Sequence, residues 1–257
     1  MSGSAKETAP LCAEGSSPSM RLERFRGSQA TALPEDGQTW VVLGDVHGRI
    51  RRVCEIPELA NAAGVILTGD LTTLGGTAAA RHVIESVTAA HPAVFAQIGN
   101  MDRPEVNDWL EARGVNLHRH VRELLPNVAL LGVGGSTFSP FGTPSEFSEA
   151  RFSEWLEALA QRAGSTPILV LAAHNPPYNT VCDRTSDGLH VGSSAVREFI
   201  EVYQPAVCLC GHIHESAGME RLGRTIVVNP GPFSAGRYAL LTLAPTGIEV
   251  SLRRLPR

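Results

Sequence analysis

Trp40-Val41-Val42-Leu43-Gly44-Asp45-Val46-His47-Gly48 decides the fold, because it joins a short apolar run to two side chains that can bind metals. Apolar runs that end at a glycine or a polar residue recur at 65–70, 94–100, 128–135, 168–174 and 206–212. Continuous runs of this kind are typical of strands that are buried on both faces. We therefore predict a set of core strands with polar side chains at their carboxyl ends.

Helical periodicity alternates with these strands. Residues 77–90 carry an apolar stripe that predicts a helix, and residues 193–203 predict another. A longer helix is expected over residues 144–163, with Thr143 as its N-cap and Glu146 completing a capping box.

The C-terminal part of the chain changes to strands without intervening helices. Apolar runs at 226–228, 238–243 and 248–252 carry this pattern. Strand–helix alternation followed by consecutive strands predicts an α/β fold with some antiparallel sheet.

Composition restricts the class of protein. The chain has 257 residues, of which 43% are hydrophobic, enough for one large domain or two small ones. A formal charge of −4 and the lack of a basic aromatic stretch argue against nucleic acid as a partner. No apolar run approaches the ~20 residues that cross a bilayer, which argues against a membrane partner. Residues 1–20 do not read as a signal peptide.

The domain prediction is a largely disordered tail over residues 1–38, rich in small polar residues, and one domain over residues 39–257. Five scattered cysteines do not indicate a disulfide framework and fit a reducing, cytoplasmic location. Metal ligation by Cys208 and Cys210 stays open, although buried small hydrophobes are the favoured interpretation. The oligomeric state stays open.

Seven side chains that can bind metals follow the predicted strands: Asp45, His47, Asp70, Asn100, His174, His212 and His214. Open α/β sheets bind ligands at the carboxyl ends of their strands, so we expect these residues to converge. The pairs at 45/47 and 212/214 are expected to share a face, because alternate side chains of extended backbone do so. A carboxylate such as Asp70 can bridge two cations through its two oxygens. Taken singly, Asp70 and Asn100 also read as turn residues and His174 as a core histidine, but the ordered set predicts a metal centre.

In order and residue type, these motifs resemble the calcineurin-like metallophosphoesterase superfamily, whose pattern is D-x-H, G-D, G-N-H-D/E, H and G-H-x-H. This chain has GDVHG at 44–48, GD at 69–70, GNMD at 99–102, HN at 174–175 and GHIH at 211–214. The resemblance covers approximately residues 40–250. It implies a four-layer α/β/β/α sandwich of two mixed sheets. It also implies two divalent metal ions drawn from manganese, iron, zinc, nickel and cobalt.

The resemblance further implies the ligand sets: Asp45, His47, Asp70 and His214 for one metal, and Asp70, Asn100, His174 and His212 for the other. It implies a hydrolase of small phosphate esters in which a metal-bridging hydroxide is the nucleophile. Asp70 and Asn100 are accordingly expected to serve catalysis as well as metal binding.

One position departs from the family pattern. The histidine of G-N-H-D/E is Met101 here, and a thioether cannot donate a proton. This favours phosphodiesters, or esters with good leaving groups, over monoesters. Arg184 and His190, in the polar stretch 175–194, are candidates to clamp phosphate and to protonate the leaving group. A solvated surface loop is an equally weighted alternative for each.

Several residues next to the motifs also have predicted roles. Asp102 is expected to cap a helix that begins near Pro104. Arg49 and Arg103 are further candidates to meet phosphate. Residues 229–231, Asn-Pro-Gly, are expected to shape the backbone beside the site.

Two alternatives to the hydrolase remain. One is a non-catalytic protein-interaction scaffold on the same fold, although all seven positions retain side chains that can bind metals. The other is a nuclease subunit, against which the negative net charge argues.

Overall fold

The computed structural model describes residues 19–21 and 37–256. Most of the tail predicted over residues 1–38 therefore lies outside the described residues. Within that range, residues Ser19–Arg21 form a short strand that pairs antiparallel with the last strand of the chain.

The described residues form fourteen strands and four α-helices. The strands are β1 (Ser19–Arg21), β2 (Gln38–Leu43), β3 (Gly64–Leu67), β4 (Val94–Ala96), β5 (Val121–Leu125), β6 (Val128–Val133), β7 (Ser136–Thr137), β8 (Glu146–Phe147), β9 (Ile168–Ala173), β10 (Val207–Leu209), β11 (Gly218–Leu222), β12 (Thr225–Asn229), β13 (Arg237–Ala244) and β14 (Gly247–Arg254). The helices are α1 (Thr77–Ala90), α2 (Pro104–Ala112), α3 (Glu149–Ala163) and α4 (Ser194–Tyr203).

The strands form two large mixed sheets and one small ladder. The first sheet has the order β1-β14-β13-β2-β3-β4, and the second has the order β11-β12-β10-β9-β6-β5. Strands β2, β3 and β4 are parallel to one another, as are β6, β9, β10 and β12. The remaining strands of both sheets pair antiparallel, and β7 pairs with β8.

Alternating side chains divide the core into three layers of contact. In β2, Val42 faces the second sheet, whereas Val41 packs beneath α1 and α2. In β6, Leu130 faces the first sheet, whereas Leu131 packs against α3 and α4. Each sheet is thus covered on both faces, which accounts for the continuous apolar runs. The architecture is the four-layer α/β/β/α sandwich that the resemblance implied.

Two of the predicted helices are confirmed, and one begins later than predicted. Helices α1 and α4 match the prediction, and the Ser193 hydroxyl caps α4 by accepting from the Val196 N–H. Helix α3 begins at Glu149 and is capped by Ser148, so the N-cap predicted at Thr143 is wrong. The Glu146 carboxylate does accept from the backbone of Thr143, as in half of a capping box, but it closes a loop rather than a helix.

The structure also bears on the two cysteines that precede the GHIH motif. Cys208 and Cys210 are buried, and burial raises the pKa of both thiols, which disfavours the thiolate that binds metals. The structure therefore supports the core interpretation. Among the described residues, no helix is long and apolar enough to span a bilayer.

Candidate metal centre

The seven candidate ligands lie just beyond the carboxyl ends of parallel strands from both sheets. The first sheet supplies Asp45, His47, Asp70 and Asn100, and the second supplies His174, His212 and His214. Gln97 joins the two sheets at this end, since its buried Nε2 lies 3.1–3.2 Å from the carbonyl oxygens of Thr68, Val133 and Ala172.

A first group of side chains converges tightly. Each of Asp45, His47, Asp70 and His214 offers one ligand atom, and these atoms all lie within 4.8 Å of one another. The Nε2 atom of His47 lies 3.1 Å from Nε2 of His214 and 3.7 Å from Oδ2 of Asp70. This grouping has the size and donor types of a single divalent cation site.

The hydrogen bonding of His47 directs a lone pair at this group. Its Nδ1 lies 3.2 Å from the carbonyl oxygen of Thr72 and 3.0 Å from the Thr73 hydroxyl. Because a carbonyl oxygen only accepts, we assign the proton to Nδ1, which leaves Nε2 of the neutral ring as an acceptor. A backbone partner on one ring nitrogen is the usual support of a metal-binding histidine.

A second group lies on the other side of Asp70. Nε2 of His174 is 3.5 Å from Asp70 Oδ1 and 3.1 Å from Asn100 Oδ1, and the His174 and His212 rings have centroids 5.3 Å apart. The amide nitrogen of Asn100 donates to the Thr143 hydroxyl at 2.9 Å, which turns its oxygen toward His174. Asp70 therefore faces one group with each carboxylate oxygen.

The backbone conformation at the ligands differs from the sequence expectation. Asp45, His47, Asp70 and His212 have φ of 50°, 49°, 50° and 69°, in the left-handed region. The pairs at 45/47 and 212/214 therefore do not share a face through extended backbone. Non-glycine residues are uncommon in this region, and they concentrate at functional sites.

Asp102 has a different role from the predicted helix cap. Helix α2 does begin at Pro104, but its N-cap residue, Arg103, makes no side-chain cap. The buried Asp102 carboxylate instead accepts from the backbone N–H groups of Leu71, Thr72 and Gly99 at 2.7–2.9 Å. It ties the loop after Asp70 to the loop that carries Asn100. The signal for this role in the sequence is the position of Asp102 at the end of the GNMD motif.

Asn229 supports the loop that carries His212 and His214. Its Nδ2 donates to the carbonyl of Ile213 at 2.8 Å, and its Oδ1 accepts from the N–H of Gly231 at 2.8 Å. The backbone-shaping role expected for residues 229–231 is confirmed.

Charged neighbours outweigh burial at His174 and Asp70. Burial lowers the pKa of His174, but the neighbouring Asp70, Asp45 and Asp102 outweigh burial and raise it to about 9. Burial likewise raises the pKa of Asp70, but the adjacent histidines, His174 foremost, bring it below its ordinary value. Burial and the Asp70 charge raise the pKa of Asp102 to about 7 despite its hydrogen bonds.

The two histidines of the GHIH motif shift in opposite directions. Burial, reinforced by His174, lowers the pKa of His212 to about 4. The hydrogen bond to Asp45 raises the pKa of His214. A neutral imidazole is the form that binds a metal, so His212 is ready as a ligand at neutral pH.

Divalent metals fit this arrangement. Oδ2 of Asp45 is buried and has no hydrogen-bond partner among the described residues. An unpaired buried carboxylate oxygen is costly, and a cation relieves that cost. The donor atoms are carboxylate, amide and imidazole without thiolate, a set compatible with manganese, iron, zinc, nickel or cobalt.

The two further catalytic candidates lie on one loop beside the centre. Nδ1 of His190 is 2.6 Å from Oδ1 of the buried Asp183, and residues 184 and 190 form an isolated antiparallel bridge. The Arg184 side chain is exposed, and its carbonyl accepts from the hydroxyl of Ser216, two residues beyond His214. Within the described part of the chain, no hydrogen bond or ion pair links the His190 or Arg184 side chain to the seven candidate ligands.

Comparison with known proteins agrees with the fold and the motifs. Residues 156–253 match the family model described as metallophosphoesterase, calcineurin superfamily. The uncharacterized protein MJ1162 of Methanocaldococcus jannaschii is 35% identical over 201 residues, covering 76% of this chain and 88% of that protein. The chain belongs to the calcineurin-like metallophosphoesterase superfamily.

Solved structures show the same fold at low identity. The crystal structure of TT1561 of Thermus thermophilus has a TM-score of 0.64 at 21% identity, covering 84% of this chain and 98% of that one. A dimetal phosphatase of Danio rerio has a TM-score of 0.57 at 13% identity, covering 83% of this chain and 98% of that one.

Proposed function

We propose that this protein hydrolyses small phosphate esters, preferentially phosphodiesters, with two divalent metal ions held by the seven converging residues. Membership in the metallophosphoesterase superfamily supports phosphoester hydrolysis. The observation that carries the metal pair is the position of Asp70, whose two carboxylate oxygens face His47 and His174 at 3.7 and 3.5 Å.

Each side of Asp70 supplies a set of donors. Asp45, His47 and His214 would share Asp70 for one ion, and Asn100, His174 and His212 would share it for the other. A bound pair of divalent ions would lower the pKa of a water and neutralise charge on the phosphoryl oxygens.

The chain's own contribution is to fix these donors before substrate arrives. The N–H of Met101 donates to Asp70 Oδ1 at 2.8 Å, and the N–H of His212 donates to Asp45 Oδ1 at 3.0 Å. These bonds orient both carboxylates, so little reorganisation is needed when the ester binds.

His190, whose ring is held by Asp183, can donate a proton, whereas the side chain of Met101 cannot. Asp183 also accepts from the N–H groups of Asn179, Thr180 and Gly192 at 2.9 Å, so its position is fixed by the loop. It accepts the Nδ1–H of His190 and fixes the orientation of the ring, whose Nε2 is then available to pass a proton to a leaving oxygen. We assign Arg184, on the same loop, to a phosphoryl oxygen.

The preference for diesters rests on position 101. A half-buried methionine borders Asp70 there and donates no side-chain proton. Leaving groups that need little protonation are therefore favoured over the alkoxide of an alkyl monoester.

Hydrolysis of bis-p-nitrophenyl phosphate tests the proposal. Wild-type protein is expected to release p-nitrophenolate with added Mn²⁺, and Asp70→Asn is expected to abolish turnover. Asp108→Asn, an exposed carboxylate on α2, is the matched control and should retain full activity. No hydrolysis with any of the five metals would favour the interaction-scaffold alternative, and activity that survives in Asp70→Asn would exclude the shared ligand.

A further inference from the structure

A loop beside Asn100 displays two phenylalanines to solvent. Phe138 and Phe141 are 72% and 85% exposed. All other phenylalanines within the described residues are buried or half-buried. Two exposed aromatic rings three positions apart on one loop indicate a surface that binds a partner.

The loop is held in one shape. The Glu146 carboxylate accepts from the N–H and hydroxyl of Ser139 at 3.2 and 2.6 Å, and from those of Thr143 at 3.0 and 2.6 Å. The N–H of Phe141 donates to the Ser139 hydroxyl at 3.2 Å, and Pro140 restricts the backbone between the rings. Because the loop is already ordered, a ligand loses less free energy in ordering it.

Both ends of the loop are bonded to the candidate metal centre or its immediate neighbour. Asn100 donates from Nδ2 to the Thr143 hydroxyl, and its carbonyl accepts from the Ser145 N–H at 3.1 Å. At the other end, Nδ2 of Asn175, the residue after His174, donates to the Thr137 hydroxyl at 3.1 Å. The loop that carries the phenylalanines therefore borders this centre.

A second apolar group lies on a loop beside Asp70. Leu74 is 49% exposed at φ 57°, and its N–H donates to the carbonyl of Met101 at 3.0 Å. A bulky residue is strained in the left-handed region, so this exposed leucine is held there by its surroundings. Residues 137–145 contain no charged side chain. The 137–145 loop thus presents apolar rings and no charged side chain of its own.

We propose that Phe138 and Phe141 form a subsite for an aromatic or planar organic group of the ester whose phosphoryl group reaches the metal centre. This deepens, and rests on, the proposed phosphoesterase function. Aromatic rings favour planar groups through stacking, and the uncharged loop offers no partner to an ionic group. The rings act as specificity-determining residues and contact no reacting atom.

Paired phosphonates test the subsite without turnover. Calorimetry on the Mn²⁺-loaded full chain compares phenylphosphonate with methylphosphonate, which share the anionic group and differ in the ring. Wild type is expected to bind phenylphosphonate about tenfold more tightly, which lies within the range for two aromatic contacts. The double variant Phe138→Ala/Phe141→Ala should lose this preference while its affinity for methylphosphonate stays unchanged. Val202→Ala, a similarly exposed apolar residue on α4, should retain the preference.

Three results would overturn the subsite: a wild type that binds both phosphonates equally, a wild type that binds neither, or a double variant that keeps the preference. A double variant that keeps the preference but changes the oligomeric state in light scattering would assign the rings to a second copy of the chain. A wild type that prefers phenylphosphonate yet never hydrolyses bis-p-nitrophenyl phosphate would overturn the proposed function and leave the subsite standing.

Discussion

The Nε2 atoms of His47 and His214 lie 3.1 Å apart, although 167 positions separate the two residues in the chain. With the His47 proton on Nδ1, its Nε2 lone pair points at another ring nitrogen, and only a proton or a cation between them makes that contact favourable. A metal ion bound by both nitrogens would therefore stabilise this contact.

Metal binding should therefore raise thermal stability. At a free concentration of about 100 times Kd, a bound ion adds ~2.7 kcal/mol, which moves the Tm of a domain of this size by about 5–10 °C. Differential scanning calorimetry of EDTA-treated and Mn²⁺-loaded protein measures the shift. The Asp45→Asn variant should lose most of this increase in Tm, whereas the Asp108→Asn variant should show the full increase. Equal Tm values with and without each of the five metals would contradict the metal centre.

His190→Ala should slow the hydrolysis of esters with poor leaving groups by about 100-fold, the low end of the range for a lost general acid. Esters of p-nitrophenol, whose anion needs no proton, should lose less than about threefold. A plot of rate against leaving-group pKa should become steeper in the variant, and Asp183→Asn should show the same change more weakly. His82→Ala, an exposed histidine on α1, is the control. Uniform losses across the series would exclude the acid role.

Asp102→Asn should weaken both folding and metal binding. The amide presents an N–H group to backbone donors that the carboxylate now satisfies, and each buried donor left unpaired costs about 1–3 kcal/mol. Because those donors position the loops of Asp70 and Asn100, we expect metal affinity to fall about 10- to 100-fold. Elemental analysis after dialysis and urea unfolding measure the two effects. Unchanged metal content at unchanged stability would show that Asp102 does not position these loops.

Gly99→Ala should remove activity by displacing a ligand. A Cβ at residue 99 would overlap the backbone nitrogen and the carboxylate of Asp70, neither of which can move freely. Gly218→Ala is the matched control, because its added Cβ meets only a Val181 methyl group at 3.8 Å. We expect the Gly99 variant to lose metal and at least about 2 kcal/mol of stability, as other overpacked sites do. Full metal occupancy in Gly99→Ala would show that Asp70 tolerates displacement.

His118 should make the fold acid-sensitive. Burial, aided by Arg119 and His120, lowers the pKa of this histidine from its ordinary value of 6.5 to about 3. As the pH falls, the unfolded chain binds the proton first, so the stability from the neutral ring is complete above pH 6.5 and is lost progressively toward pH 3. The loss is about 1.4 kcal/mol per pH unit in this window.

Urea unfolding between pH 8 and pH 4 tests this dependence. His118→Gln keeps an acceptor for the Gly134 N–H but does not titrate, so the stability difference between wild type and variant should narrow as the pH falls below about 6.5. The free energy of unfolding of His82→Gln should change with pH in the same way as that of wild type. If His118→Gln also followed the pH dependence of wild type, that result would contradict a buried, neutral His118.

Much of the fold and the position of the candidate site could be predicted from the sequence. Buried parallel strands such as β3 and β6 give strong signals because both faces are covered. Asp70 and the other candidate ligands lie just beyond the ends of such strands, as expected from the sequence. Edge strands β5 and β11 were missed, since one side of each is unpaired and their residues alternate with charges such as Glu123 and Glu220.

Local patterns failed where tertiary contacts compete with them. Thr143 and Glu146 have the spacing of a capping box, but Ser139 recruits the same carboxylate and the helix starts later. The left-handed backbone at Asp45 and His47 could not be predicted from the sequence either. It depends on hydrogen bonds between the ends of two strands, such as the one from the His47 N–H to the Asp70 carbonyl.

The division of the ligands between two sheets has a consequence for assembly. An intermediate with only the first sheet folded would present a carboxylate-rich half-site, and one with only the second would present isolated imidazoles. Neither half encloses an ion, so tight metal uptake should accompany the docking of the sheets that Gln97 fastens together. In stopped-flow refolding, a spectroscopic signal from the bound metal would then report when the two sheets dock, which is the last cooperative step.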